Sequence, residues 1–494
     1  MSAGPRFQPF EILSLGGWVI LTLAVLSSLA IAVWPVKKVE GLELWTFAKN
    51  HGQLYQQLSV GYNEEARAEG REPVNVFVID GAALTRRTLS GFWSGTPLAD
   101  LIEVERNAMP GYVKGPIDDV GFIDLTDRLH GEEIAPGVSI YEGLNEPSFA
   151  PWSSRGRIFG LPHDVHPVML VYRSDLVEAA GIDVTEIETW DDFVRVMGPL
   201  QTDLDGDGST DRWLLDNWFT NYNNLESLIL QAGGGTFDAD DNLIVDSDAN
   251  AMVLARMVSW CRGDTRISVD APDFSASGNQ LKLEGKVIAG IMPDWLAGIW
   301  KSDLPQLGGK VKLMPLPAWE PGGRRTSVKG GTMIGIPKAT REKGGPERFE
   351  AAWEVAKHLY LSRELAREVF GSSCIISPVK AFWSEDFYHQ PDPFFSGQQI
   401  GTRFLELAPS VPFRSSNTYH VFALGRIGQA MAKLYTEAEA RGIDDLTQLE
   451  ARAAELLAVE AEQVREEMSY NVFMQQDQAE AGQGGRVENG GGDE

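Results

Sequence analysis

A run of alternating carboxylates, Asp203, Asp205, Asp207, Ser209 and Asp211, spelled DLDGDGSTD, is the sharpest chemical pattern in the chain. Oxygen ligands at alternate positions surround a hard cation, and a glycine such as Gly206 permits the tight turn the loop needs. The pattern leaves the twelve-residue calcium loop at its last position, where Leu214 stands in place of a bidentate Glu. It reads as a structural calcium site of modest affinity, or as a solvated acidic turn. A second concentration of chemistry is His163, Asp164 and His166. Two histidines and a carboxylate this close suit a metal, but the linear sequence supplies no further ligand beside them. Contact with a bound solute, or a structural role where the chain changes direction, fits them better.

The third pattern is aromatic. The chain holds 14 tryptophans. Trp45, Trp218 with Tyr222, and Trp295 each sit at the end of a strand or in a loop before a helix. Glu105 and Asn107 end another strand with planar polar groups. Gly330-Gly331-Thr332 lets the backbone approach a ligand and offer N–H donors. Aromatic platforms with a few planar hydrogen-bonding groups suit a polyhydroxylated ring, which has apolar C–H faces and polar edges. The plain alternatives are core packing for Trp45 and Trp295, helix capping for Glu105 and Asn107, and a simple turn at the glycines. No G-x-S-x-G, P-loop, strand-linked G-x-G-x-x-G or H-E-x-x-H is present, so the chain reads as a binder and not an enzyme.

Those residues need elements to position them. Gly41 to Phe47, Val74 to Ile79 and Leu98 to Val104 read as strands, the second covered on both faces. Helical patterns at His51 to Arg67 and Ala82 to Trp93 separate them. Strand, helix, strand, helix, strand predicts a parallel α/β sheet, and ligands gather beyond the carboxyl ends of such strands. A second α/β pattern starts near Arg157, with a strand at Val168 to Tyr172. Thr189 caps a helix from Trp190 to Leu200, with Asp191 and Asp192 in its first turn. Later helices are expected over Asn223 to Ala232, Ala249 to Cys261, Glu347 to Val369, Tyr419 to Ala438 and Asp445 to Met468.

Composition narrows the class further. Seventy acidic and 43 basic residues give a formal charge of −27, which repels phosphate backbones and anionic lipid. Two cysteines, Cys261 and Cys374, make neither a disulfide framework nor a zinc site. Residues 12–36 carry no formal charge. They read as a single-pass transmembrane anchor, since they exceed the usual ~7–15 residue core of a signal peptide. A cleaved signal at Ala30-Ile31-Ala32 is the alternative. Residues 1–11 form a short tail before it. From 475 to 494 the chain is polar, Gly-rich and acidic, too poor in apolar residues to fold.

In their order along the chain, these segments resemble the family 1 extracellular solute-binding proteins, the maltose- and oligosaccharide-binding group. The resemblance is carried by GRIFGLP (156–162) with YRSDL (172–176), TWDDF (189–193), QAGG (231–234), EGKVIAGIM (284–292) with Trp295, GGT (330–332) with IPK (336–338), and AAWE (351–354). The matches run collinearly from about 41 to 470. The strand end Glu105-Arg106-Asn107 departs from the family's commoner Asp-x-x-Trp arrangement, and no lipoprotein cysteine follows the apolar segment.

The resemblance implies a type II periplasmic-binding-protein-like fold of two α/β lobes, 41–163 plus 330–375 and 164–329 plus 376–470. It also implies a carbohydrate held between the lobes and delivery to the permease subunits of an ABC importer. The protein is then a monomer outside the cytoplasm, held to the membrane by its N-terminal helix, with no required cofactor. The same fold serves other solutes, such as an iron complex, a polyamine or a peptide, and anchored sensor or scaffold modules.

Overall fold

The computed structural model describes residues 14–33, 40–218, 220 and 222–473. By contacts the chain divides into two units, Met1–Gly41 and Leu42–Glu494. The first contains one helix, Leu15–Val33, without a charged side chain. Residues 12, 13 and 34–36 of the expected 12–36 span lie outside the described residues, as do the 1–11 and 475–494 tails. Among the described residues, no helix is long and apolar enough to cross a membrane. The expected transmembrane helix is therefore not carried by this part of the chain.

In the second unit, ten strands build two five-stranded sheets among the described residues. They are β1 (Leu42–Thr46), β2 (Val74–Val78), β3 (Leu101–Glu105), β4 (Leu161–Pro162), β5 (Val168–Arg173), β6 (Trp213–Asp216), β7 (Ser268–Val269), β8 (Val287–Pro293), β9 (Val311–Pro315) and β10 (Thr332–Gly335). The first sheet runs β2-β1-β3-β10-β4 and the second β7-β6-β8-β5-β9. Both follow one plan. Three neighbouring strands run parallel, the fourth pairs antiparallel with the third, and the fifth pairs antiparallel with the fourth. Each sheet anchors one lobe. Buried Tyr55 and Trp353 fill the first lobe's core, and Trp190, Phe193 and Trp260 the second's.

Local chemistry explains most boundaries. Thr189 caps the helix Trp190–Met197 in a full capping box with Asp192, and a 3-10 turn completes it to Leu200. The strand β8 is buried at all seven positions, as expected of a strand with both faces covered. Two expectations need correction. The strand β2 is an edge strand, with Phe77 38% and Val78 44% exposed, because among the described residues no strand pairs along its outer side. The helix expected over 347–369 is two helices, Lys338–Tyr360 and Arg363–Ser373. Ser362 breaks the run by accepting from the Leu365 N–H and capping the second helix.

The chain passes between lobes three times. Residues 163–167 lead from β4 to β5, and 316–331 lead back from β9 to β10. Pro167 and Val328 bridge these two crossings. At the third, Ile375 packs into the first lobe's core while Cys374 and Ile376 pack into the second's. Cys261 and Cys374 are buried thiols with no disulfide between them.

Candidate functional site

The crossings meet at a buried polar knot. His166 takes a positive φ of 54°, which turns its ring back between the lobes. Its Nδ1 lies 2.6 Å from Asp294 Oδ1 and its Nε2 lies 3.0 Å from Asp164 Oδ2. Burial alone would lower its pKa, but the Asp164 and Asp294 carboxylates raise it to about 10. The ring is therefore a cation at neutral pH. Asp164 in turn accepts from the hydroxyl and N–H of Thr332, at 2.8 and 3.1 Å. Asp294 accepts from the N–H groups of Trp295 and Ile376, at 2.7 and 2.9 Å. One network thus ties all three crossings together.

Gly330 and Gly331 thread through this knot with φ of 98° and 137°, a backbone that side chains resist. A Cβ at position 330 would lie 2.6 Å from Trp295 Nε1 and 3.1 Å from His166 Cδ2. The close approach lets Trp295 Nε1 donate to the Lys329 carbonyl at 2.8 Å. Trp295 is half-buried and packs against the cores of both lobes. Phe274, 67% exposed, lies parallel to it within 2° at a centroid separation of 6.3 Å. Two parallel aromatic rings, one of them largely exposed, offer apolar faces suited to a flat solute.

Across the cleft the lobes are joined by ions. Arg106, directly after β3, pairs with Glu226 of the helix Tyr222–Gln231 at 2.7 Å. Its Nη2 lies 2.9 Å from His420 Nε2. Arg106 and, next, His420 hold the largely buried Glu226 carboxyl below its usual range despite desolvation. Arg414 is 2% exposed, and burial lowers its pKa to about 9. One nitrogen donates to the Gly330 carbonyl, while Nε and Nη1 have no hydrogen-bond partner among the described residues. Thr418 Oγ1 donates to the Pro110 carbonyl at 2.8 Å, adding an uncharged tie.

The residues expected from sequence divide by place. Asp164, His166, Trp295, Gly330, Gly331 and Thr332 come together in the knot. Trp45 does not join them. It is 4% exposed in the first lobe's core, with Arg87 4.1 Å above its ring, because β1 is a central strand. Glu105 caps the turn after β3 by accepting from the Asn107 N–H, and burial raises its pKa. Asn107 itself is exposed, and it is Arg106 between them that reaches the other lobe. Trp218 is half-buried in the loop after β6. Tyr222 begins the next helix, its side chain outside the described residues. Arg106, Glu226, Arg414 and His420 were not legible as a site from sequence.

The acidic loop lies apart from the knot. Asp203 accepts from the N–H groups of Gly206 and Gly208 at 2.6 and 2.7 Å, so the loop folds around its own first carboxylate. Oxygens of Asp203, Asp205 and Asp211 lie within 4.8 Å of one another. Asp207 accepts from the Ser209 N–H at the loop's outer side.

A fold of two like-built lobes, joined by three crossings and facing each other across an ion-paired, aromatic-walled cleft, is that of a protein that encloses a solute. Residues 90–364, more than half of the chain, match the family described as bacterial extracellular solute-binding protein, and the chain belongs to it. Among curated relatives, the arabinooligosaccharide-binding protein of Halalkalibacterium halodurans is 25% identical over 382 residues, covering 75% of this chain and 79% of the relative. The lactose-binding protein of Rhizobium radiobacter is 23% identical, over 63% of this chain and 73% of its own. The sugar-binding protein MalE from Xanthomonas citri shares the fold with a TM-score of 0.64 at 16% identity, covering 84% of this chain and 97% of its own.

Proposed function

We propose that this protein captures a carbohydrate outside the cytoplasm and hands it to the permease of an ABC importer, acting by binding and closure without chemistry. The observation that carries this reading is the Trp295–Phe274 wall beside Gly330 and the hinge knot. It offers apolar faces in a solute-binding fold whose curated relatives are named for arabinooligosaccharides and lactose. A ligand that touches both lobes favours the closed state by its differential affinity. The chain acts as a monomer, with the binding unit outside the cytoplasm. The acidic loop Asp203, Asp205, Asp207, Ser209 and Asp211 serves as a structural calcium site.

Thermal shift of residues 41–494 against arabino-, galacto- and malto-oligosaccharides tests the main reading. A ligand at 100 times its dissociation constant adds about 2.7 kcal/mol. A shift confined to one sugar class supports it and names the solute. A folded protein with no shift across the panel overturns it.

A further inference from the structure

Behind the hinge, in the core of the first lobe, three metal-ligating side chains converge from three elements. His51 comes from the helix Lys49–Ala68, Glu103 from β3, and His163 from the root of the first crossing. Their ligand atoms lie within 4.8 Å of one another. None of the three residues is more than 7% exposed. The cluster lies outside the cleft described above, touching it only through the His163 contact with Asp164, and its residues are separated by more than fifty positions from one ligand to the next.

The hydrogen bonding around it is that of a prepared ligand set. His163 Nδ1 lies 3.3 Å from Asp164 Oδ2. An ionised carboxylate only accepts, so Nδ1 carries the proton and Nε2 is left with a bare lone pair. That Nε2 is buried and has no hydrogen-bond partner among the described residues. A histidine whose other nitrogen is held by a carboxylate is the usual arrangement at a metal, because the second bond fixes both tautomer and ring orientation. Glu103 is held as firmly. Its Oε1 accepts from Tyr55 at 2.7 Å and from Tyr360 at 2.9 Å, and lies 2.9 Å from His51 Nδ1. The Thr46 hydroxyl donates to its other oxygen. Buried polar groups are normally paired, so the orphaned Nε2 beside a fixed carboxylate and a second imidazole calls for an electrophile. A metal ion sits about 2.0–2.2 Å from such ligands, closer than any hydrogen-bonded water, and so suits a cluster this tightly packed.

We propose that His51, Glu103 and His163 bind one divalent transition-metal ion of the zinc class, pinning the root of the first crossing to the first lobe. Two imidazoles and a carboxylate suit zinc, whereas the all-oxygen loop at Asp203–Asp211 suits calcium, so the two sites are chemically separable. The reading does not depend on which solute the cleft takes.

The test uses the full chain, refolded from denaturant with zinc or cobalt present because the ligands are buried, then dialysed and analysed for metal. One zinc per chain is expected in the wild type and in Asp205→Asn. His51→Gln and His163→Gln should each bind zinc at least tenfold more weakly. Should either variant fail to fold, the cobalt-loaded wild type decides. Visible absorption of a low-symmetry nitrogen-ligated site supports the proposal, and the faint spectrum of an all-oxygen octahedral site overturns it. A wild type that retains no zinc, or folded histidine variants that retain as much as the wild type, also overturns it.

Discussion

Trp295 is fixed at both ends, by its own Nε1 bond to the Lys329 carbonyl and by the Asp294 carboxylate that accepts from its N–H. A platform held this rigidly loses little freedom on binding. Trp295→Ala should therefore weaken the ligand by at least ~2 kcal/mol, the scale of a central aromatic anchor. Titration calorimetry with the sugar found by thermal shift checks this. At the neighbouring Gly330, Ala meets both a positive φ and the Trp295 ring, and should cost about 1–3 kcal/mol of stability in urea unfolding. His166 carries a pH signature. An unfolded histidine titrates near ~6.5, and this one is raised to about 10 by Asp164 and Asp294. The folded state thus holds a proton that the unfolded chain releases between those values. Its stabilisation is full below about pH 6.5 and is lost as the pH rises toward about 10. His166→Asn tolerates the positive φ but strands two buried carboxylates, costing roughly 3–5 kcal/mol near neutrality. The variant should also lack the alkaline slope in urea midpoints.

At the scale of elements, periodicity and capping made most of the fold readable. The capping box at Thr189 and the fully apolar β8 follow from residue type alone. The failures have local causes. Val74 to Ile79 is as apolar as a central strand, but whether a strand lies at the edge is decided by its neighbours. Ser362 looks like any helix residue until its hydroxyl is seen to cap a new start. The site was half legible. Glycines and tryptophans advertise close approaches, so the knot around Trp295 and Gly330 could be anticipated. Arg106 could not, because its partners Glu226 and His420 lie 120 and 314 residues away. The acidic loop shows how far spacing reaches, since the alternation of carboxylates does bring Asp203, Asp205 and Asp211 together. With Leu214 where a bidentate Glu would stand, calcium should bind with a dissociation constant on the order of 10⁻⁴ to 10⁻³ M. Thermal shift against calcium should show it in the wild type and lose it in Asp205→Asn. No calcium response in the wild type would leave the loop a self-bonded turn.

For the whole molecule, the decisive feature is that the ion pair of Arg106 and Glu226 joins opposite lobes with Arg106 buried and Glu226 only 15% exposed. Opening the cleft returns both charges to water, and closing it buries them together. A buried pair contributes little net stability, but removing one partner strands the other and costs roughly 3–5 kcal/mol. That cost falls on the closed state alone. Glu226→Gln should therefore shift the ligand-free protein toward the open form, seen as a larger radius of gyration in small-angle scattering. It should also weaken ligand binding by about two to four orders of magnitude, since each ~1.4 kcal/mol is tenfold. The contact of His420 with Arg106 would then be left to hold the lobes, which is too little for a buried guanidinium. Replacing both charges, as in Arg106→Met with Glu226→Leu, removes the stranded ion and should restore most of the closure. If Glu226→Gln leaves both the radius and the affinity unchanged, the pair is not a latch and closure rests on the uncharged contacts around Thr418 and Pro110.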